Sequence, residues 1–213
     1  TSRNRIARVD GAGALDTGFT PGAGANDSIR SVTLQPDGRV LIGGQFTVYN
    51  GTNRNYIARL KVDGTLDVTF DPGAGADNPV LAVALNTNGT VFIGGDFTAV
   101  GGFTRNRIAL LNTNGALVTA FNPGTGVNNT VRAAAIHTNG THLGKVVIGG
   151  DFTTANGVTN NRLARLSLTD GAVDTNFSAA LGTGVTNGII YAIAIQNDEK
   201  IVELKTRIHQ SQQ

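Results

Sequence analysis

The chain predicts an all-β fold assembled from tandem units, and three observations carry that reading. The segment Ile42-Gly43-Gly44-Gln45-Phe46-Thr47 returns as Ile93-Gly94-Gly95-Asp96-Phe97-Thr98 and again as Ile148-Gly149-Gly150-Asp151-Phe152-Thr153, at spacings of 51 and 55 residues. Spacings of this size mark repeat architectures. Only 15% of the 213 residues are charged and 29 are glycine, a balance suited to short strands and tight turns rather than to helices. Asn-Gly and Asp-Gly pairs recur between the short apolar runs, and these pairs supply the positive φ that a tight hairpin needs.

Each unit opens with a strand, Ile29-Arg30-Ser31-Val32-Thr33-Leu34 in the first, with equivalents beginning at Val80, Val131 and Ile190. Val32 and Leu34 face one way; Val83 and Leu85, Ala134 and Ile136, and Ile193 and Ile195 match them. The alternate positions are small, Ser31 and Thr33 first and then alanines, so this strand is expected to be covered on both faces. A tight turn follows at Asp37-Gly38, Asn88-Gly89 and Asn139-Gly140. The second strand is a continuous apolar run, Val40-Leu41-Ile42, Val91-Phe92-Ile93 and Val146-Val147-Ile148, again with the signature of burial on both sides.

That strand leaves the sheet through Gly43-Gly44, Gly94-Gly95 and Gly149-Gly150. Glycine there permits close backbone approach or a bulge, and Phe46, Phe97 and Phe152 are placed as plugs between units. After a longer polar loop comes a third strand, Asn55-Tyr56-Ile57-Ala58-Arg59-Leu60, with copies from Asn4, Asn106 and Asn161. A second turn at Asp63-Gly64, Asn114-Gly115 and Asp170-Gly171 leads to a short fourth strand, Leu66 to Phe70, with equivalents at Leu15 to Phe19, Leu117 to Phe121 and Val173 to Phe177.

Arg8 and Asp16, Arg59 and Asp67, and Arg165 and Asp174 lie symmetrically about that second turn, and in the remaining copy both residues change together, to Leu110 and Val118. Opposite charges across an antiparallel pair stabilise by roughly 0.2–1 kcal/mol, and an apolar pair can replace them. The joint change predicts contact and a structural role.

Four-stranded units of this length have the dimensions of a β-propeller blade. The blades span 29–79, 80–130 and 131–189; a half-blade at 1–28 supplies third and fourth strands, a half-blade at 190–202 supplies first and second strands, and an off-pattern tail covers 203–213. In that tail Glu203-Leu204-Lys205 stands where Ile-Gly-Gly is expected. Closure as a four-bladed ring and an incomplete piece of a larger ring both fit these phases. Thr1 follows no Met and falls inside a repeat, which reads as a processed product or a piece of a longer protein.

Segments such as Val32-Thr33-Leu34-Gln35-Pro36-Asp37-Gly38-Arg39-Val40-Leu41-Ile42-Gly43-Gly44, followed by Ile57-Ala58-Arg59-Leu60 and Leu66-Asp67-Val68-Thr69-Phe70, resemble the bacterial delta-60 repeat. The likeness runs from Asn4 to Val202, in units shorter than that family's usual period. The resemblance implies a β-propeller in a large secreted or surface-attached bacterial protein, and it brings no catalytic residues with it.

The excess of 17 Lys plus Arg over 15 Asp plus Glu is too small to imply nucleic acid. Trp is absent and only Tyr49, Tyr56 and Tyr191 offer tyrosine rings for stacking, which also disfavours a nucleic-acid reader. There is no Cys, hence no disulfide or thiolate metal site, and no apolar run approaches the roughly 18 residues that span a bilayer. No signal peptide is visible.

In an antiparallel blade the connections after strands two and four emerge on one face, here the long ones. Loops on rigid scaffolds carry function, so that face is where a site is expected. Arg3, Arg5, Arg54, Arg105, Arg107 and Arg162 all lie just before a third strand and would set guanidinium groups around the rim, suited to an anionic glycan or a carboxylate-rich surface. The competing role is that they are solvated, or hydrogen-bond loop carbonyls.

Gly-rich loops such as Pro21-Gly22-Ala23-Gly24-Ala25 lack the helix and Lys of a phosphate cradle and read as turns between blades. Asp96 and Asp151 suggest Ca²⁺ ligands, a suggestion that Gln45 at the same position weakens. Asn26, Asn50, Asn88 and Asn139 fit glycosylation acceptors, and two of them are hairpin turns. His137, His142 and His209 are singletons with no nucleophile or acid spaced to work with them. The strand-one positions are expected to line a channel without acid or base.

The sequence therefore points to a non-enzymatic secreted or cell-surface module, with no cofactor or metal, that binds a protein or glycan partner at the long-loop face. Other subunits are possible partners; nucleic acid and membrane insertion are not expected. The alternative is an assembly subunit of a filament, adhesin or surface appendage, since an open sheet edge can be completed by another chain. A carbohydrate-active hydrolase or lyase comes third and would need a carboxylate pair in the channel or on the loop face.

Overall fold

A computed structural model of the chain describes residues 3–206. The first complete unit contains β1 (Ile29–Leu34), β2 (Val40–Gly44), β3 (Val48–Tyr49), β4 (Thr52–Asn53) and β5 (Ile57–Leu60). The second repeats this as β6 (Val80–Leu85), β7 (Val91–Gly95), β8 (Ala99–Val100), β9 (Phe103–Thr104) and β10 (Ile108–Leu111). The third has β11 (Val131–Ile136), β12 (Lys145–Gly150), β13 (Thr154–Ala155), β14 (Val158–Thr159), β15 (Leu163–Ser167) and a short helix α1 (Thr175–Leu181). Two last strands, β16 (Ile190–Ile195) and β17 (Ile201–Lys205), follow.

The sheets run β1-β2-β5, β6-β7-β10 and β11-β12-β15, all antiparallel, with β16-β17 as a separate pair. These are propeller blades with two departures from the expected pattern. The fourth strand shrinks to one bridge per unit, Leu60 to Leu66, Leu111 to Leu117 and Leu166 to Val173. After Val173 the chain turns into α1, whose first turn is capped by the Asp174 carboxylate accepting from the Phe177 N–H at 3.2 Å. The loop after strand two also holds a small ribbon, β3-β4, β8-β9 or β13-β14.

The core lies between blades rather than within them. Phe46, Phe97 and Phe152 are each fully buried in successive inter-blade clusters, as expected of plugs. The Gly-Gly joint explains itself geometrically. A Cβ on Gly43 would sit 2.8 Å from methyl groups of both Val80 and Val83 in the next blade, and one on Gly44 would lie 2.1 Å from the Ser28 carbonyl oxygen. The first glycine is a slot for the neighbouring blade and the second lets two backbone segments of its own blade meet.

Consecutive first strands pack side by side, β1 on β6, β6 on β11 and β11 on β16, so the blades form an arc. Among the described residues the termini do not close it: Val9 bridges only Leu15, and β16-β17 gains no third strand. The expectation that strand one is covered on both faces holds in the middle blades and fails in the first. Val32 and Leu34 are 59% and 68% exposed, whereas Val83 is 6% exposed against the preceding blade. The segment before β1 supplies outer-strand residues such as Phe19, which bury Ile42 and Ala58, but no inner strand to cover β1.

β17 runs through Lys205, so Glu203, Leu204 and Lys205 belong to the strand rather than to a tail. Leu204 pairs with Ala192 as Gly43 pairs with Ser31, and thus fills the position of the slot glycine. The rest of the off-pattern tail, 207–213, lies outside the described residues.

Candidate functional site

The inner surface of the arc is built from equivalent positions of four first strands. Each of β1, β6, β11 and β16 carries an irregularity after its first residue, between Ile29 and Ser31, Val80 and Ala82, Val131 and Ala133, and Ile190 and Ala192. A bulge adds one residue without a partner and re-aims its side chain. Here the extra residues are Arg30, Leu81, Arg132 and Tyr191. Together with Gln45 and Asp96 they line a cavity of ≈ 350 Å³ at the end of the groove from which the long loops leave. A narrower cavity of ≈ 210 Å³ continues along the same strands past Ala82, Ala133 and Ala192.

This corrects the expectation of a lining without acid or base. Strict period-two alternation assigns the second residue of each strand to the wrong side, and the bulge breaks that alternation. Two arginines, one tyrosine and one aspartate therefore converge where a lining of Val, Leu, Ile, Ala, Ser and Thr was expected.

The residue after each Gly-Gly joint faces the bulged residue of its own blade. In the third blade the pairing is bidentate: Arg132 donates from Nε and Nη2 to the two Asp151 oxygens at 2.8 and 2.7 Å. The Asp151 hydrogen bond shifts the Arg132 pKa further up, against the effect of burial. The Arg132 guanidinium carbon also lies 5.3 Å from the Tyr191 ring centre. In the first blade the partner is neutral: Arg30 donates from Nη2 to Gln45 Oε1 at 3.0 Å. In the second blade Leu81 replaces the arginine, and Asp96 accepts instead from the Thr130 hydroxyl. The two aspartates raised as Ca²⁺ ligands are thus engaged by protein groups.

Of the six rim arginines, Arg107 and Arg162 hold the joints beneath this mouth. Both have positive φ, 70° and 69°, and donate from Nη1 to the backbone carbonyls of Asp96 and Asp151 respectively. Arg5 has the same backbone conformation, with φ 68°. Arg54 donates to the Asn53 carbonyl at 2.9 Å, and Arg105 to those of Thr104 at 2.8 Å and Thr119 at 3.4 Å. Arg3 is half-buried at the equivalent place. None of the six lines the mouth cavity.

The Gly-rich loops are turns between blades. Asn55 Nδ2 donates to the Ala74 carbonyl at 2.8 Å and Asn106 Nδ2 to that of Thr125 at 3.0 Å. Asn26 and Asn50 both use their side-chain oxygens on backbone N–H groups, of Thr47 and Val48 in one case and of Ala23 in the other. His137 is buried, its ring 5.4 Å from that of His142 in edge contact; His209 lies outside the described residues.

Three segments, residues 35–70, 86–121 and 144–177, match the family described as "Domain of unknown function (DUF5122) beta-propeller". The chain carries repeats of a β-propeller family. No curated protein matches it. Among solved structures, the crystal structure of the WD40 β-propeller domain of Doa1 is similar over 84% of this chain, with a TM-score of 0.57 and 13% identity. The matched region is 48% of that chain, and at this identity the likeness bears on fold alone. No helix among the described residues is long and apolar enough to cross a membrane.

Proposed function

We propose that this β-propeller repeat protein is a non-enzymatic binding and scaffolding module, secreted or displayed on a bacterial surface, that engages a protein or glycan through its long-loop face. The observation that carries the reading is the mouth cavity, where Arg30, Arg132, Tyr191 and Asp96 from four consecutive blades share one concave surface. A rigid scaffold that converges a few polar groups on a concavity is the usual form of a binding site. A protein partner is favoured over a glycan, because one tyrosine whose ring already stacks with Arg132 leaves little aromatic platform for sugar rings.

The test is a binding screen against envelope proteins and glycan arrays with two double variants, Arg30→Ala/Arg132→Ala and Arg54→Ala/Arg105→Ala. Loss of binding in the first and retention in the second supports the mouth as the site. The reverse pattern moves the site to the rim, and equal retention in both removes the long-loop face from the account.

A second reading, assembly with further blades or copies, is favoured by the apolar faces at the ends of the arc. Val32 and Leu34 on β1, and Val202 and Leu204 on β17, are 52–68% exposed at positions that face a neighbouring blade elsewhere in the arc. Light scattering across a concentration series tests it: mass that rises with concentration supports assembly, and a constant monomer mass counts against it.

A further inference from the structure

We infer that the mouth cavity takes a carboxylate, and that its partner is a peptide segment carrying a single Asp or Glu whose side chain pairs with Arg30. This rests on the reading of the mouth as a protein-binding site and adds the chemistry of its partner.

The argument comes from comparing equivalent positions within one molecule. Arg30 and Arg132 occupy the same bulged position, and Gln45 and Asp151 the same position after the Gly-Gly joint. In the third blade the arginine's charge is matched within the blade by a bidentate carboxylate. In the first blade a neutral amide takes that carboxylate's place, so only one guanidinium N–H group is bonded and no ion pair forms at Arg30 among the described residues. Asp27 lies close enough for Arg30 to help lower its pKa, behind its own Ser28 N–H and hydroxyl bonds and the charge of Arg5. Its carboxylate makes no ion pair within 4.0 Å of Arg30.

Arg30 is exposed and lines the cavity, and among the described residues only its Nη2 is hydrogen-bonded. The guanidinium fork is built for bidentate capture of a carboxylate. A concave, low-dielectric wall strengthens the attraction relative to an isolated surface charge. The third blade shows what the completed pair looks like, since Arg132 and Asp151 are the arrangement that an incoming Glu or Asp would reproduce on Arg30. Asp96, which the next blade contributes to the same mouth with Leu81 in place of an arginine, repels a second carboxylate. That asymmetry favours a segment with a single acidic residue next to neutral or basic ones over a polyanion.

The test uses fluorescein-labelled peptides, one with a single Glu flanked by Lys and Ser, one with that Glu replaced by Gln, and a poly-Glu control. Three proteins are compared: the wild type, Arg30→Gln, and Gln45→Asp. The last installs in the first blade the pair that the third blade already accommodates, so it neutralises Arg30 without a foreign contact, and its melting temperature verifies folding. The expected result is binding of the Glu peptide that weakens with salt and falls about tenfold or more in both variants, with weaker binding of the Gln and poly-Glu peptides. Equal binding of the Glu and Gln peptides, or binding by Gln45→Asp that matches the wild type, overturns the assignment. Failure of every peptide while an envelope protein still binds through Arg132 overturns the carboxylate-bearing partner and leaves the mouth as a site.

Discussion

Arg59 donates from Nε to the Asp67 carboxylate at 2.8 Å, its guanidinium lying 5.0 Å from the Phe70 ring centre. The same arginine reaches forward with Nη1 to the Thr113 carbonyl in the turn of the next blade, at 2.7 Å. Arg8 repeats all three contacts with Asp16, Phe19 and Val62. The pair therefore ties a hairpin to itself and one blade to the following one.

Both partners in this pair are buried. Removing Arg59 alone leaves the buried Asp67 carboxylate with Arg39, Nε at 3.3 Å, and the two Thr69 donors, so the loss should fall at or below the low end of the roughly 3–5 kcal/mol of a fully uncompensated pair. Arg59→Leu is therefore expected to be destabilising without unfolding the chain. The double variant Arg59→Leu/Asp67→Val, which copies the natural Leu110 and Val118, is expected to recover about 1–3 kcal/mol of that loss. A double-mutant cycle in urea measures it; additive effects would mean that the two residues do not act as a pair.

The Gly-Gly joints predict a graded response to one methyl group. A Cβ on Gly95 meets the Pro79 carbonyl oxygen at 2.1 Å, which is backbone and cannot rotate away. A Cβ on Gly94 meets a Val131 methyl at 2.6 Å, and that side chain can give. Gly94→Ala should cost about 1–3 kcal/mol, as overpacking does, and Gly95→Ala more. Thermal melts of the two variants decide the order.

Burial depresses the pKa of His137, helped by the charge of Arg165 and by His142, and neither ring nitrogen has a hydrogen-bond partner. The folded state holds the ring neutral while the unfolded chain takes a proton near pH 6.5. Its folded pKa is the lower one, so the penalty is absent above about pH 6.5 and grows as pH falls through that value. His137→Gln, which places the residue found at Gln35 and Gln196, should flatten the fall in urea midpoint between pH 7.5 and 5. An unchanged slope would assign the acid sensitivity elsewhere.

Asp174 behaves in the opposite sense. Burial alone would raise its carboxyl, but Lys145 at 2.5 Å, the Phe177 N–H and Arg165 outweigh it and bring the pKa down to about 2. Its stabilising contribution is full above the ordinary carboxylate range and is lost as pH falls from about 3.8 toward 2. Asp174→Asn should lower stability at pH 7 and weaken the acid dependence below pH 4. Circular dichroism at 222 nm along an acid titration follows both.

Regions where local pattern and long-range packing agree were legible in the sequence. The Gly-Gly slots, the buried Phe46, Phe97 and Phe152, the tight turns at Asp37-Gly38 and Asn88-Gly89 and the Arg59–Asp67 pair all recur, so each copy checks the others. The tight turn expected at Asn139-Gly140 is instead part of a longer connection between Ile136 and Lys145, closed by the His137 N–H on the Lys145 carbonyl at 2.9 Å. The mouth was not legible, because a bulge after the first residue of each strand shifts the side-chain phase, and nothing in Ile29-Arg30-Ser31 announces an extra residue. Reading Gly43 as a slot for two side chains of the next blade supplies the missing signal. Val80 and Val83 can both enter it only if the strand between them carries a bulge. The α1 turn was missed for a related reason: Val173 to Phe177 looks like its sister segments, but the Asp174 cap and the following Ser178-Ala179-Ala180 run divert it into a helix.

Each blade latches only onto its neighbours, Gly43 receiving Val80 and Val83, Gly94 receiving Val131, and Gly149 receiving Ile190 and Ile193. Loaded along its length, the arc is a row of similar fasteners in series, with no single bond on which the whole depends. Stretching it should release one repeat at a time, each surrendering about 170 Å of slack chain. Under a sudden pull the arc would thereby yield in steps rather than fail all at once.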